Sequence, residues 1–337
     1  MELIVEGPGV FVSKHQGRIR VSRDKTMVSE APLIHLQQVV LVGSGIGIST
    51  DAVRACTDEG IPIHFLSSSG TAVAGLYAAG LVGTVATRRA QLMAYTDRRG
   101  ANIARAFVTG KLENQANLLR YMAKYRREAH PALYQELEMA ALDIRDRLAT
   151  LDRVTGTCVD DLRDTLMGVE GAAATHYWGA IACVVPASLE WPGRETRGAS
   201  DALNSALNYG YGVLYAQVER ALVLAGLDPY AGFLHADRPG KPSLVLDLIE
   251  EFRQTVVDRT IIGLVNRGME VERDGEGRLS EEMRRRLAEK VLERLAAQES
   301  YEDKRRALRH ILQTQARHLA TFMRGERPTY IPFVAGW

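Results

Sequence analysis

Three places in this 337-residue chain set side chains capable of metal or phosphoryl chemistry among apolar or small neighbours. The first is Glu170, the single acid in the run LMGVEGAAATHYW, with Gly168 and Gly171 on either side. Glycine inside a helix costs about 0.5–1 kcal/mol relative to alanine, so a pair around one acid marks close approach of a ligand or a small-residue contact between helices. The second is His235 in GFLHADRPGKP, at the end of an apolar turn and ahead of a basic loop that carries Arg238 and Lys241. The third is SLVLDLIEEF, a helix that Ser243 is placed to N-cap. Its Leu244, Val245, Leu248, Ile249 and Phe252 are apolar, while Asp247, Glu250, Glu251 and Gln254 share one sector of roughly 60–100°. A solvated stripe on a surface helix has the same pattern.

If one acid of that helix meets Glu170 and His235, the donor set is carboxylate and imidazole with no thiolate. Such a set suits Mg²⁺ or Mn²⁺, and zinc also by ligand type. Open positions on the ion would take water and a phosphate, and the chemistry would be polarisation of a phosphodiester. Arg238 and Lys241 would then supply phosphate charge, the alternative for them being an ordinary surface loop. Tyr177, seven residues after Glu170, returns to the same helix face about 10 Å along the axis. It is out of reach of a shared ion and placed to touch a bound substrate, whereas His176 points elsewhere on the wheel.

The elements that must position these groups divide the chain in two. Up to about residue 80, short extended segments alternate with Gly-Pro-Gly and Gly turns, which predicts a β-rich domain over 1–86. From about Thr87 apolar residues recur three and four apart, which predicts a larger all-α domain over 87–337 that holds the metal-type residues. The fold class is therefore α+β. The helices expected over 159–185 and 199–227 end before Pro186 and Pro229, and long charged helices are expected over 278–324. The N-terminal run VVLVGSGIGIST offers Gly43 and Gly45 but has Ile48 where a dinucleotide fingerprint needs glycine. The following strand ends in Leu-Ser-Ser-Ser rather than an acid, so turn packing is the better reading of those glycines. His64, in that next strand, reads as packing.

Composition excludes several classes. With 46% hydrophobic and 25% charged residues and no apolar run near 18 residues, nothing predicts a membrane helix. MELIVEGPG lacks the basic and apolar regions of a signal peptide, so a cytoplasmic protein is expected. Cys56, Cys158 and Cys183 are far apart and form no CxxC pair. The net charge of +1 hides two basic segments. Residues 85–130 hold ten Lys or Arg against three acids, and residues 278–327 hold thirteen against eight. Such segments suit a polyanion, although solvated helix faces also produce them.

LMGVEGAAATHYW, DALNSALNYGYGVLYAQVERALVLAGLDPYAGFLH and SLVLDLIEEFR, in that order and spacing, resemble the Cas-one family, the CRISPR-associated endonuclease and integrase of spacer acquisition. The likeness extends to VVLVGSGIGISTDAVRACTDEGIPIHFLSSSGTAVAGL in the β-rich part and ARAFVTGKLENQANLLR at the start of the helical part, and so covers nearly the whole chain. What the resemblance implies is a metal-dependent DNA enzyme whose ligands are Glu170, His235 and Glu250, with Asp247 as the supporting neighbour of the ion site. It also implies a homodimer that assembles with a dimer of the small Cas-two protein. The implied reaction joins the 3′-hydroxyl ends of a short duplex to a repeat array by transesterification, acting on duplex or branched DNA. There the DNA hydroxyl is the nucleophile, which agrees with the lack of a Ser-His or Cys-His pairing. Two rivals remain: a non-catalytic DNA-binding assembly subunit, and a nucleotide-binding oxidoreductase, for which the glycine fingerprint is broken.

Overall fold

A computed structural model describes residues 2–77, 84–196, 199 and 201–337. The chain opens with β1 (Glu2–Glu6), β2 (Val10–His15), β3 (Arg18–Arg23), β4 (Thr26–Pro32), β5 (Gln38–Val42) and β6 (Gly47–Ile48). Helix α1 (Thr50–Asp58), β7 (Ile63–Leu66) and β8 (Ala72–Leu76) follow. Two four-stranded sheets result, in the orders β1-β5-β7-β8 and β4-β3-β2-β6. The β2–β3 turn is made by Gln16 and Gly17, both at positive φ, a geometry that matches the right-handed twist of the flanking strands.

Strand β5 explains how this domain is fixed to the rest. It pairs in parallel with β1 on one side and β7 on the other, and all five of its residues are buried. Val39 and Leu41 face Val12, Ile19 and Ile63 in the core of the β domain, while Val40 and Val42 face the core of the helices. A strand buried on both faces reads as an apolar run instead of an alternation, as QVVLV does. The glycines after it serve packing: a Cβ on Gly45 would lie 3.1 Å from Pro8 Cβ, and one on Gly47 would lie 2.7 Å from Phe11.

The helical part comprises α2 (Thr84–Ala94), α3 (Arg98–Lys124), α4 (Pro131–Leu151), α5 (Val159–Val184), α6 (Ala202–Leu224) and α7 (Ser243–Ile249). After a π-helical segment, Gln254–Asp258, come α8 (Arg259–Val265), α9 (Glu281–Ala296), β9 (Gln298–Tyr301), β10 (Lys304–Ala307) and α10 (Leu308–Met323). Helix α3 is the spine, with Phe107, Leu112, Leu118 and Leu119 fully buried along it. Its start is set by Asp97, whose carboxylate accepts from the Arg99 N–H. Helix α5 is started by Asp161, whose Oδ2 accepts the N–H groups of Thr157 and Cys158.

The expected order of a β-rich part followed by a helical part stands, and three local expectations change. Helix begins at Thr84, three residues before the expected change at 87. Helices do not fill 278–324: α9 and α10 are separated by the antiparallel hairpin of β9 and β10, which turns at Glu302 and Asp303, both at positive φ. Ser243 does not cap α7 from outside. It is the first helical residue, and its hydroxyl donates to the Ala236 carbonyl.

Candidate metal centre

Helix α7 and the turn after it are buried all round, so the solvated-stripe reading of its acids fails. Asp247, Glu250 and Glu251 are 0%, 2% and 0% exposed. Nor do the three leave on one face toward one place. Burying a carboxylate without compensation is costly, and each of these acids meets that cost with a different set of partners.

Asp247 turns back to the chain just before it. Its Oδ2 accepts the N–H groups of Phe233 and Leu234 at 2.6 and 3.0 Å, and its Oδ1 accepts the His235 N–H at 2.8 Å. The same Oδ1 lies 2.7 Å from His235 Nδ1. Both carboxylate oxygens are therefore used. They hold the imidazole by one nitrogen and leave Nε2 as its remaining donor atom, the arrangement in which histidine ligates a metal while a carboxylate fixes its tautomer and orientation. Asp247 is thus a support for His235 and has no oxygen to spare for an ion.

Glu250 faces the other way, toward α3, where it meets Glu170 across Lys111. The Lys111 ammonium donates to Glu170 Oε1 and lies 2.7 Å from Glu250 Oε2. Glu250 Oε1 is 3.5 Å from Arg253. Burial on its own would raise the Glu250 carboxyl, but Arg253, Lys111 and His235 outweigh it and hold the group well below the usual carboxylate range. For Lys111, burial would lower the ammonium, and the charges of Glu250 and Glu170 raise it instead. Glu170 Oε2 and Glu250 Oε2 are both buried without a hydrogen-bond partner, the contact from Lys111 to the latter lying off the hydrogen-bond direction.

The residue types are those a hard divalent cation takes: two carboxylates turned to one buried ammonium, and an imidazole held by its far nitrogen. Among the described residues no group of three or more His, Cys, Asp or Glu side chains is arranged to hold a metal ion, and the Lys111 ammonium lies between the two glutamates. Sequence reasoning missed Lys111. Its only signal was a lysine among small and apolar residues in AFVTGKLENQ, on a face that the helical period buries.

The flanking glycines have a different meaning from either expected one. A Cβ added at Gly168 or Gly171 would meet nothing within 4 Å, so no neighbouring helix packs there. Both glycines are exposed, and Gly168, two residues before Glu170, lies on the side of α5 opposite its buried carboxylate.

Tyr177 does not line the site. It is fully buried, and its hydroxyl donates to Asp258 Oδ2 at 2.7 Å, so it cannot touch a substrate. Tyr211 donates to the other oxygen of Asp258, and its ring lies 4.9 Å from the Arg253 guanidinium. Two tyrosines and Asp258 therefore brace the π-helical segment and place Arg253 against Glu250. Burial pushes the Asp258 carboxyl up to about 6, against the lowering effect of both hydroxyls. Arg238 and Lys241 form an exposed tight turn, with the Lys241 N–H donating to the Arg238 carbonyl at 2.9 Å and Gly240 at positive φ. Their turn follows directly on His235.

Residues 3–293 match a family model described as CRISPR associated protein Cas1. A relative from Archaeoglobus fulgidus, named CRISPR-associated endonuclease Cas1 1, is 37% identical over 348 residues that cover all of both chains. Among solved structures, a casposase bound to integration product has a TM-score of 0.83 at 24% identity, covering 98% of this chain and 92% of that one. A Cas6-RT-Cas1–Cas2 complex has a TM-score of 0.78 at 22% identity, covering 99% of this chain and 36% of that one. At those identities the two structures establish a shared fold.

Proposed function

The chain belongs to the Cas1 family, and from that premise we propose that it is a divalent-metal-dependent DNA endonuclease and integrase. It inserts short duplexes into a repeat array by transesterification. One observation carries the reading: Glu170 and Glu250 share a buried cation position while Asp247 holds His235 by Nδ1. Neither rival reading has a use for that arrangement. The assignments of Glu170, His235 and Glu250 as ligands, and of Mg²⁺ or Mn²⁺ as the ion, rest on it.

When bound, the divalent ion polarises the scissile phosphodiester and stabilises the departing oxygen. The chain's own residues do the rest. Glu170 comes from α5, Glu250 from the turn after α7, and Lys111 from α3, so three elements fix the carboxylates. Lys111 holds them at one spacing and offsets part of their mutual repulsion before an ion arrives. Asp247 keeps His235 in one tautomer, with Nε2 as the ligand atom. Arg238 and Lys241 lie on the turn beyond His235, where they are available to offset phosphate charge. In the reaction a DNA 3′-hydroxyl attacks phosphorus, one P–O bond forms as another breaks, and no side-chain nucleophile is needed.

The active form is a homodimer joined to a dimer of a Cas2-type protein. The fold shared with a chain in a Cas1–Cas2 complex and the resemblance of the sequence support this. No helix among the described residues is long and apolar enough to cross a membrane. The test is an integration assay with a short duplex, a repeat-bearing plasmid and Mn²⁺, with and without the partner. Glu170→Ala and His235→Ala are expected to lower the rate by on the order of a hundredfold or more. Parental rates in both variants would overturn the metal-site reading.

A further inference from the structure

The two basic segments of the sequence, 85–130 and 278–327, are far apart in the chain and meet in the fold at a groove of about 570 Å³. The end of α3 with the turn after it contributes Tyr121, Tyr125 and Arg126 to it, α9 contributes Lys290 and Arg294, and α8 with the turn after it contributes Arg259 and Arg267. We propose that this groove is a second DNA contact, which holds the phosphate backbone of a duplex several base pairs from the reacting phosphodiester. The proposal rests on the function given above.

Charge and construction both support it. Five cations line the groove, with Glu293 as a lining acid and Glu299 behind it, which leaves three positive charges in excess. The floor is built. Arg259 Nη1 lies 3.1 Å from Glu299, and its guanidinium is 4.5 Å from the Tyr121 ring and 4.9 Å from the Trp337 ring. Arg294 bonds to the same Glu299 and donates from Nε to the Thr255 carbonyl at 2.9 Å. These two are fixed by a carboxylate and aromatic faces, which sets a cationic floor with little left to order on binding. Arg126, half-buried with Nη1 donating to the Met122 carbonyl at 2.6 Å, and the exposed Arg267 also line it, and Tyr125 is 71% exposed. An acidic peptide would be served by a few mobile lysines, whereas fixed guanidiniums and exposed aromatic rings suit phosphates and sugars.

The groove is also joined to the metal centre by its two carrying elements. Helix α3 holds Lys111 at the centre and Tyr121 at the groove, ten residues apart, or about 15 Å by helical rise. At 100° per residue Met122, which also lines the groove, comes round to the side of α3 that carries Lys111, and Tyr125 and Arg126 follow just past the end of the helix. The stretch after α7 leads likewise from Glu250 through the π-helical segment to Arg259. A separation of about 15 Å corresponds to four or five base pairs of duplex at 3.4 Å each.

The test is equilibrium binding of the full chain to a fluorescent duplex of about 30 base pairs, without metal, over a range of salt concentrations. Arg126→Glu with Arg267→Glu is expected to weaken binding by roughly tenfold or more and to reduce the slope of log K against log salt by about two. Arg126→Gln with Arg267→Gln should give a smaller loss of the same kind. Thermal melting of each variant guards against misfolding. An unchanged affinity and slope in the folded variants overturn the groove, as does a loss of association between copies of the chain or with a protein partner while DNA binding persists. Because no chemistry is read, the outcomes stay separate: a parent chain that fails to bind DNA at all sinks the function, and a parent that binds while the variants match it sinks only the groove.

Discussion

Glu250 and Glu251 are consecutive, equally buried, and opposite in character. Glu250 looks toward α3, where the cations Lys111 and Arg253 surround it and its carboxyl is held low. Glu251 looks toward the C-terminal tail, where every partner is neutral. Its Oε1 accepts from the Tyr330 hydroxyl at 2.6 Å, and its Oε2 accepts from Gln315 Nε2 at 3.0 Å and the Phe333 N–H at 2.8 Å. Burial without a countercharge pushes its carboxyl up to about 8, although those three bonds oppose the shift. What one peptide unit separates is therefore a charge held among cations and a neutral clamp on the tail. Asn114 on α3 completes the clamp with bonds to the Phe333 carbonyl and the Ala335 N–H, and Phe333 stacks on Phe252 at 5.0 Å.

The sharpest way to break that comparison is to replace each glutamate by glutamine. Glu250→Gln removes a charge from the cation position, and integration should fall by on the order of a hundredfold or more while the rise in melting temperature on adding Mn²⁺ disappears. Glu251→Gln replaces an acid whose partners are neutral donors, and the amide can accept from Gln315 and Phe333 while the Tyr330 hydroxyl turns to accept. Stability should move by about 1 kcal/mol at most, with the Mn²⁺ shift kept. If the two variants behave alike, the division of roles between them is wrong.

A smaller effect tests the cation itself. Lys111→Met keeps the length of the side chain and removes the charge between Glu170 and Glu250. Removing one partner of a buried ion cluster costs about 3–5 kcal/mol, which denaturant unfolding in the presence of a chelator would read directly. Added Mn²⁺ should return part of the loss, because a divalent ion can take over the same carboxylates. A variant as stable as the parent in chelator would mean that Lys111 does not hold the pair.

Much of this was legible in the sequence, and the gaps have physical causes. The order of β-rich and helical parts, and the presence of α5 and α6 ending before Pro186 and Pro229, followed from apolar periodicity and prolines. Glu170, His235 and Glu250 were legible as residue types, and the fold brings the two glutamates to one cation with His235 near enough to act on Glu250. The direction of each acid on α7 was not, because a wheel shows a shared sector but says nothing of which neighbour lies outside it. Asp247 is spent on three successive N–H groups that only the bend after Ala231 brings within reach. Lys111 was hidden for a related reason: a lysine in a buried helix has no local signature, since its partners lie 59 and 139 residues away. Tyr177 was misread because helical rise placed it correctly along the axis while burial against Asp258 takes it out of play. The hairpin of β9 and β10 replaced helix because Glu302 and Asp303 turn back in the left-handed region, which a charge-rich run does not announce.

His64 extends the contrast to a titratable group that lacks a hydrogen-bond partner among the described residues. It is 1% exposed in β7, and Tyr77 lies edge-on to its ring at 5.8 Å. Burial first, and the charge of Arg220 second, lower it from the ordinary 6.5 to about 4. Between those values the unfolded chain binds the proton and the folded chain does not. Stability gained from this residue is thus complete above pH 6.5 and is lost as the pH falls toward 4. The slope is at most about 1.4 kcal/mol per pH unit. His64→Phe preserves the ring against Tyr77 and removes the titration. Denaturant unfolding of parent and variant at pH 7 and pH 5 should show the parent losing more, by roughly 1–2 kcal/mol, with Glu2, Glu6 and the other titrating groups common to both. Equal losses in the two proteins would mean that the folded chain lets His64 take up its proton, and that this part of the interface between sheet and helices is wetter than its burial implies.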